Sequence, residues 1–356
     1  MAQRHEHVDV NLNGNRLLCG SLQLNGSNVS PIASFTNKVI GGNFDTNPWQ
    51  RGTSLSTTTS GYLADSWITT TTVARSMQIQ RSLDAPTVAQ AGFLVQNSLQ
   101  YSYLGTPATL VAGDATGIRH AIEGRNFRAI AQQPFTVSFW VKSSKTGIYS
   151  LSARNSGSSD RSCVIEYVIN AANTWEYKSV TFPASPIAGT WDYTNGVGLF
   201  LTWQLGTGST FTTSTLNTWI TGNFVASPNS ANWLDSQNAS FRLALVQCEV
   251  GSIATSFEQR SVGHELQLCQ RYYCQMHLSD RFPASAANQF ATHTVAFPVW
   301  MRATPTATLL TGSQRLNLSS VAVGATSPGY ARFEIVSAAA GDAYALFDHW
   351  AFSADI

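Results

Sequence analysis

The sequence is short of charge. Only 12% of its 356 residues are Asp, Glu, Lys or Arg, about half the roughly 25% usual in a soluble domain. The formal net charge is +1, which leaves no basic footprint for nucleic acid or for an anionic membrane surface. Cysteine is sparse and unpatterned. Cys19, Cys163, Cys248, Cys269 and Cys274 are odd in number and lack zinc spacing, so they read as small buried apolar side chains made in a reducing compartment. No window approaches the ~18 apolar residues of a membrane span, and "MAQRHEHVDVNLNG" has no apolar signal-peptide core. The expectation is synthesis in a cytoplasm without an export signal. Catalytic motifs are missing as well: there is no Gly-x-Ser-x-Gly, HExxH or P-loop. The acids are scattered singly, as at Asp160, Glu166, Glu176, Asp192 and Asp235. Glu166 and Glu176 lie on polar faces of neighbouring predicted strands and are the one pair in which a glycosidase's two carboxylates could be sought. Single exposed acids ordinarily do no more than solvate a face, and the reading is a non-enzyme without cofactor or metal.

What is present is β pattern. From residue 35 to about 260, short alternating runs are separated by Gly, Ser and Asn turns. "PFTVSFWVK" sets Phe135, Val137, Phe139 and Val141 on one face and Thr136, Ser138, Trp140 and Lys142 on the other. "GVGLFLTWQLG", "SCVIEYVIN" and "SFRLALVQCEV" alternate in the same way, the last grouping Phe241, Leu243 and Leu245. Many such strands predict an all-β sandwich or jelly roll. A long Thr/Ser/Asn-rich connection from Gly206 to Asn238 carries Trp219, Phe224 and Trp233, and loops of that length are often functional. Before the sandwich, residues 1–34 hold "NLNGNRLL" and "QLNGSNVS", two Leu-Asn-Gly turns twelve residues apart. Asn-Gly is a strong hairpin signal, but two small strands cannot bury a core, so this segment is expected to pair with another chain.

After the sandwich the spacing predicts a helix near 261–277, within a linking segment 261–279. Ser261 is placed as its N-cap and Glu265 in its first turn. Val262, Leu266, Cys269, Tyr273 and Met276 follow a 4-3-4-3 spacing and would form one seam, packed either on the chain's own sandwich or on a threefold axis. A second β domain is expected over 280–356, with strands in "HTVAFPVWM", "ARFEIVS" and "YALFDHWAF".

Taken in order, "GGNFDTNPWQRGTS", "GYLADSW", "AIEGRNF", "FTVSFWVKSSKTGIYSL", "NTWEYKSVTFP" and "VQCEVGSIATSFEQRSVGHELQLCQRYY" resemble the carbohydrate-binding-module-like jelly roll of phage fibre, spike and other virion structural proteins. "FPVWMRATPTATL" and the final "FSADI" match what commonly follows, so the resemblance spans residues 38–356. It implies a homotrimer in a virion, attached to other virion proteins through residues 1–34 and recognising a host-surface polysaccharide. Calcium-binding relatives carry one acid early and another in the last strand. Asp45 fits the first, but "RLALVQ" offers none before Glu249, so Asp45 is read as a turn-capping residue and not a ligand.

Ten tryptophans and eleven tyrosines suit stacking on sugar rings. Trp140 breaks an otherwise Thr/Ser/Lys face, and Trp191 and Tyr193 lie in the loop "GTWDYTNG". The glycan site expected is Trp140 and Lys142 with Trp191, Tyr193 and Trp219, unless the long loop folds over Trp140 and buries it. The rival reading is a purely structural capsid or tail decoration protein, and a polysaccharide depolymerase ranks below both.

Overall fold

A computed structural model describes residues 22–24, 27–29, 35–157, 160–312 and 314–356. The chain divides into two units, residues 1–36 and 37–356. In the first, strands β1 (Leu22–Leu24) and β2 (Ser27–Val29) pair antiparallel, with Leu24 opposite Ser27. They flank the second Leu-Asn-Gly copy. The first copy, Cys19 and most of the expected attachment segment lie outside the described residues.

The second unit is almost entirely β and begins with a sandwich of two six-stranded antiparallel sheets. Its strands are β3 (Ser54–Thr57), β4 (Gly61–Tyr62), β5 (Trp67–Thr71), β6 (Met77–Ser82), β7 (Ser98–Tyr103), β8 (Ala115–Glu123), β9 (Phe135–Ser143), β10 (Gly147–Arg154), β11 (Ser162–Ile169), β12 (Glu176–Phe182), β13 (Val197–Thr207) and β14 (Ser240–Val250). Sheet I runs β12-β9-β14-β7-β6-β3 and sheet II runs β11-β10-β13-β8-β5-β4. The inner faces are those that period-2 alternation picks out. Phe135, Val137, Phe139 and Val141 are fully buried, as are Leu199, Leu201 and Trp203 of the facing sheet. The Phe139 and Trp203 rings meet edge-on at 5.6 Å across the core. Each such side chain contributes roughly 1.5–3 kcal/mol by leaving water.

One expected alternation breaks. In β14 the register shifts between Ala244 and Gln247, and Leu245 adopts φ 49°. This β-bulge adds a residue to one strand, so the faces exchange beyond it. Phe241 and Leu243 join the main core, but Leu245 turns outward with Ala244, and the core is resumed by Val246 and Cys248.

The helix is shorter than its periodicity suggests. The short helices are α1 (Val88–Ala91) and α2 (Gly124–Phe127), and the third, α3, covers only Val262–Gln270. Ser261 caps it, accepting from the His264 amide at 3.3 Å, and buried Glu265 accepts from the Gly41 amide. Tyr273 and Met276 instead belong to β15 (Tyr273–Ala284), which pairs along its length with β21 (Gly341–Ser353). The five residues therefore form no continuous helical seam. Val262 is exposed, Leu266 half-buried and Cys269 buried, while Tyr273 and Met276 follow strand geometry. The long-range ladder to β21 outweighs local helical periodicity, and the β-favouring "RYYC" run yields readily.

The C-terminal region adds β16 (Phe290–Ala296), β17 (Thr306–Thr311), β18 (Gln314–Leu316), β19 (Leu318–Ser327) and β20 (Tyr330–Ser337). Its sheets are β15-β21-β17, with β18 also on β21, and β16-β20-β19. They enclose a small core around Phe333, Trp350 and Phe352. Contacts with the sandwich are largely polar. Buried Glu123 accepts from Arg271 at 2.8 and 2.6 Å and from the Tyr272 hydroxyl at 2.7 Å. Arg51 pairs with Asp65 and Asp355 and lies 3.6 Å from the centre of the Tyr273 ring. These charged bonds are directional, so they orient the two regions as well as join them.

Candidate functional site

On the outer face of sheet I, β9 and β12 set Trp140 opposite Tyr177, their ring centres 5.6 Å apart. The β14 bulge turns Leu245 onto the same face. Together with Ser138 these residues floor an open cleft of about 670 Å³. One wall is the end of α1 and its continuation to Phe93; the other is the segment from Ala254 to Gln259. Phe93 and Phe257 stack at 6.4 Å between the walls. Local signals make the first wall. Thr87 and Gln90 form a capping box at the start of α1, and Gly92 ends it at φ 83°, a left-handed conformation that glycine adopts without strain. Glu249, buried, holds the second wall by accepting from the Thr255 amide at 2.8 Å and its hydroxyl at 2.6 Å.

The cleft is bounded by aromatic faces and by the amides and hydroxyls of Gln90, Gln259, Ser138, Thr255 and Ser256, with no carboxylate or cation in its lining. Tyr177 keeps 47% of its surface exposed and Trp140 is half-buried. Such a lining can stack on flat apolar faces and exchange hydrogen bonds with hydroxyls. It offers no acid–base pair for cleavage.

The site residues expected from sequence divide into two groups. Trp140 lies in this cleft. Lys142 is held beside it, bonding Asp84 at 3.0 Å, and Asp84 also accepts from the Trp175 indole at 3.0 Å. Burial works to raise the Asp84 pKa, but bonds from Lys142 and Trp175 and the charge of Arg242 outweigh it, leaving the carboxyl below its usual range. Trp191, Tyr193 and Trp219 are elsewhere. They gather around buried Phe127, with Trp191 and Tyr193 stacked on it at 5.2 and 5.9 Å and Trp219 edge-on to Trp191 at 5.5 Å. Their indole N–H groups bond the Ala188 and Pro183 carbonyls, so they seal the main core and are not brought to Trp140. The long loop does not cover Trp140 either. It lies along sheet II, where the Asn217 amide bonds the Val164 carbonyl and the Ala231 amide bonds the Ile148 carbonyl.

Tyr177, Phe93 and Phe257 were not singled out from sequence. Tyr177 was within reach, because "NTWEYKSVTFP" alternates and places it opposite the Trp140 face. Phe93 and Phe257 sit in loops without periodicity and carry no such signal. Glu166 and Glu176 do not meet. Glu166 bonds Asn229, and Glu176 bonds Asn170 and Lys178, on strands of different sheets. Asp45 acts as a loop staple, accepting from the Gln96 amide at 3.0 Å and the Asn97 side chain at 2.8 Å. Among the described residues no three His, Cys, Asp or Glu side chains converge as metal ligands. Cys163, Cys248, Cys269 and Cys274 are free and buried, and burial pushes the Cys163 and Cys274 thiols up to about 12.

No family model and no curated protein matches the sequence. Solved structures similar to it are carbohydrate-binding modules. The module TmCBM61 in complex with β-1,4-galactotriose is 7% identical, with 60% of this chain and 99% of that one covered at a TM-score of 0.30. The family 11 module from Clostridium thermocellum in complex with a mixed-linked tetrasaccharide is 12% identical, over 56% and 97%, at 0.29. The CBM22-1 xylan-binding domain from Paenibacillus barcinonensis is 11% identical, over 56% and 95%, at 0.28.

Proposed function

We propose that this chain is a glycan-recognition protein, a fibre or spike component of a virion that attaches to a host-surface polysaccharide as a homotrimer. The observation that carries the recognition role is the cleft on sheet I. Trp140 and Tyr177 present aromatic surface to solvent in that cleft, beside Leu245 and the polar side chains of Ser138, Thr255 and Ser256. Exposed rings gain nothing from water, whereas stacked on a pyranose they recover that apolar contact. The uncharged lining favours a neutral sugar, and a volume of about 670 Å³ leaves room for more than a single ring. The virion setting and the trimer are supported by the ordered motifs that resemble fibre and spike proteins. The protein acts by binding, without catalysis, and residues 1–34 serve as the particle-attachment segment. A structural decoration role is favoured by a different observation: Phe290 (71%), Trp300 (69%) and Phe347 (58%) of the C-terminal region are strongly exposed, as surfaces awaiting a protein neighbour often are.

A glycan array read with the intact chain tests the proposal. Binding of neutral oligosaccharides that Trp140→Ala abolishes, with the fold retained, supports it. Binding unaffected by Trp140→Ala, or absent from every neutral glycan, overturns the role of the cleft. Light scattering tests the assembly separately, since a 38.5 kDa monomer at micromolar concentration would refute the trimer.

A further inference from the structure

The cleft on sheet I holds more apolar surface than one sugar ring needs. Its floor, Trp140 and Tyr177, can stack on a single ring face. The apolar surface then climbs the walls, where Phe93 and Phe257 stack on each other at 6.4 Å and Ala91 and Ala254 line the same space. Both phenylalanines are only half-buried, so part of each ring stays open to a ligand. The edges of a plain hexopyranose carry hydroxyls, and a hydroxyl pressed against such a wall would have its hydrogen bonds unmet. A methyl group placed there would gain by leaving water.

The polar groups of the cleft are selective too. Some are already engaged: Gln90 accepts from the Thr87 amide at 2.9 Å, and the Thr255 hydroxyl donates to Glu249 at 2.6 Å. Others are open. Among the described residues the exposed Gln259 amide, the Ser138 hydroxyl and the Trp140 indole N–H make no hydrogen bond, and none of the three is sealed from solvent. The open indole contrasts with its neighbours on the sandwich, since Trp175, Trp191 and Trp219 all donate to an acceptor within the chain. Gln259 carries a donor and an acceptor on one planar group, which matches a secondary amide, with its one N–H and one C=O. The lining holds no cation for a carboxylate and no carboxylate for an ammonium group. A methyl-bearing, uncharged amide is the substituent that uses both the apolar walls and the open Gln259.

We propose that the cleft selects sugars carrying an acetamido group, in a neutral chain containing N-acetylhexosamine. Trp140 and Tyr177 stack on the ring, Gln259 and the Trp140 indole N–H bond the amide, and the Phe93–Phe257 wall takes the methyl. This rests on the glycan-recognition reading and names the sugar class within it. Titration calorimetry of the intact chain with triacetylchitotriose and cellotriose tests it, because these β-1,4-linked trimers differ only at carbon 2. Triacetylchitotriose should bind at least tenfold more tightly. Its N-formyl analogue, which keeps the amide and lacks the methyl, should bind about fourfold more weakly than the acetyl form, as one buried methyl requires. Gln259→Ala, on an exposed loop position, should bring the preference for triacetylchitotriose over cellotriose below threefold. Equal binding of the two trimers, both lost in Trp140→Ala, overturns the acetamido selection and leaves the cleft a glycan site. A preference that survives Gln259→Ala, or an N-formyl analogue that binds as tightly as the acetyl form, overturns it as well. If neither trimer binds, the selection is overturned, and only silence across every neutral glycan of the array extends that failure to glycan recognition by the cleft.

Discussion

The two outer faces of the sandwich share one core yet differ in almost every chemical respect. Sheet I presents Trp140 and Tyr177 in a cleft whose lining holds neither cation nor carboxylate, and its nearby charges, Lys142, Arg242 and Asp84, are already paired. Sheet II carries the Arg119 and Arg154 guanidiniums beside the Phe200 ring, and two buried hydroxyls without partners. The difference teaches that the inward alternation constrains only one side of each strand. The other side is free to specialise, and here one side pairs its charges while the other buries the Ser152 and Thr202 hydroxyls without partners.

The comparison breaks most completely at the core that both faces stand on. Phe139→Ala removes a fully buried ring packed against both Tyr167 and Trp203, and should cost about 3–5 kcal/mol, measured by denaturant unfolding. Amide hydrogen-exchange protection should fall in both sheets together; loss in one alone would mean that they do not share a cooperative core. Next in size is Trp140→Ala, expected to cut neutral-glycan affinity more than tenfold while lowering stability by about 1–2 kcal/mol, because the indole is only half-buried. A larger stability loss with binding retained would reassign Trp140 to packing.

Acid should act on the shared core, mainly at sheet II. Burial drives the His120 imidazole down to about 3, and the neutral ring is satisfied on both sides, by the Ser66 carbonyl at 3.1 Å and the Ile40 amide at 3.4 Å. In the unfolded chain a histidine titrates near 6.5. Its contribution is therefore full above about pH 6.5 and is lost as the pH falls toward 3. Asp65 has the opposite sign. Burial lifts its pKa to about 6 from 3.8, so its contribution is full below about 3.8 and disappears as the pH rises through 6. Unfolding measured from pH 7.5 to 4 should show His120→Gln with a shallower acid loss than the parent and Asp65→Asn with a steeper one. Identical slopes in all three would contradict both assignments.

The smallest effect sharpens the sheet II side. Thr202→Val replaces a buried hydroxyl without a partner by a methyl group of similar shape, and should be neutral or stabilise by up to about 1 kcal/mol. A destabilisation of more than that, seen as a lower midpoint at unchanged slope, would mean that the hydroxyl is satisfied in the free protein.

The sequence by itself determined the all-β class, the inner face of β9 and β13, the N-cap at Ser261 and the outward position of Trp140, because period-2 alternation and capping are local properties of the chain. It did not determine where α3 stops. Pairing of Tyr273–Ala284 with a strand some seventy residues later decided that, since a ladder of long-range hydrogen bonds outweighs two turns of helical spacing. Nor could it show Leu245 leaving the core, because a bulge is a register event between two strands. The grouping of aromatics was likewise tertiary. Trp191, Tyr193 and Trp219 look alike from sequence, yet they close around Phe127, while Phe93 and Phe257, from loops more than 160 residues apart, are brought to Trp140. The polar row of Ser152, Thr202 and Arg119 follows the same rule: three ordinary outward residues on three strands become neighbours only when the sheet order places those strands side by side.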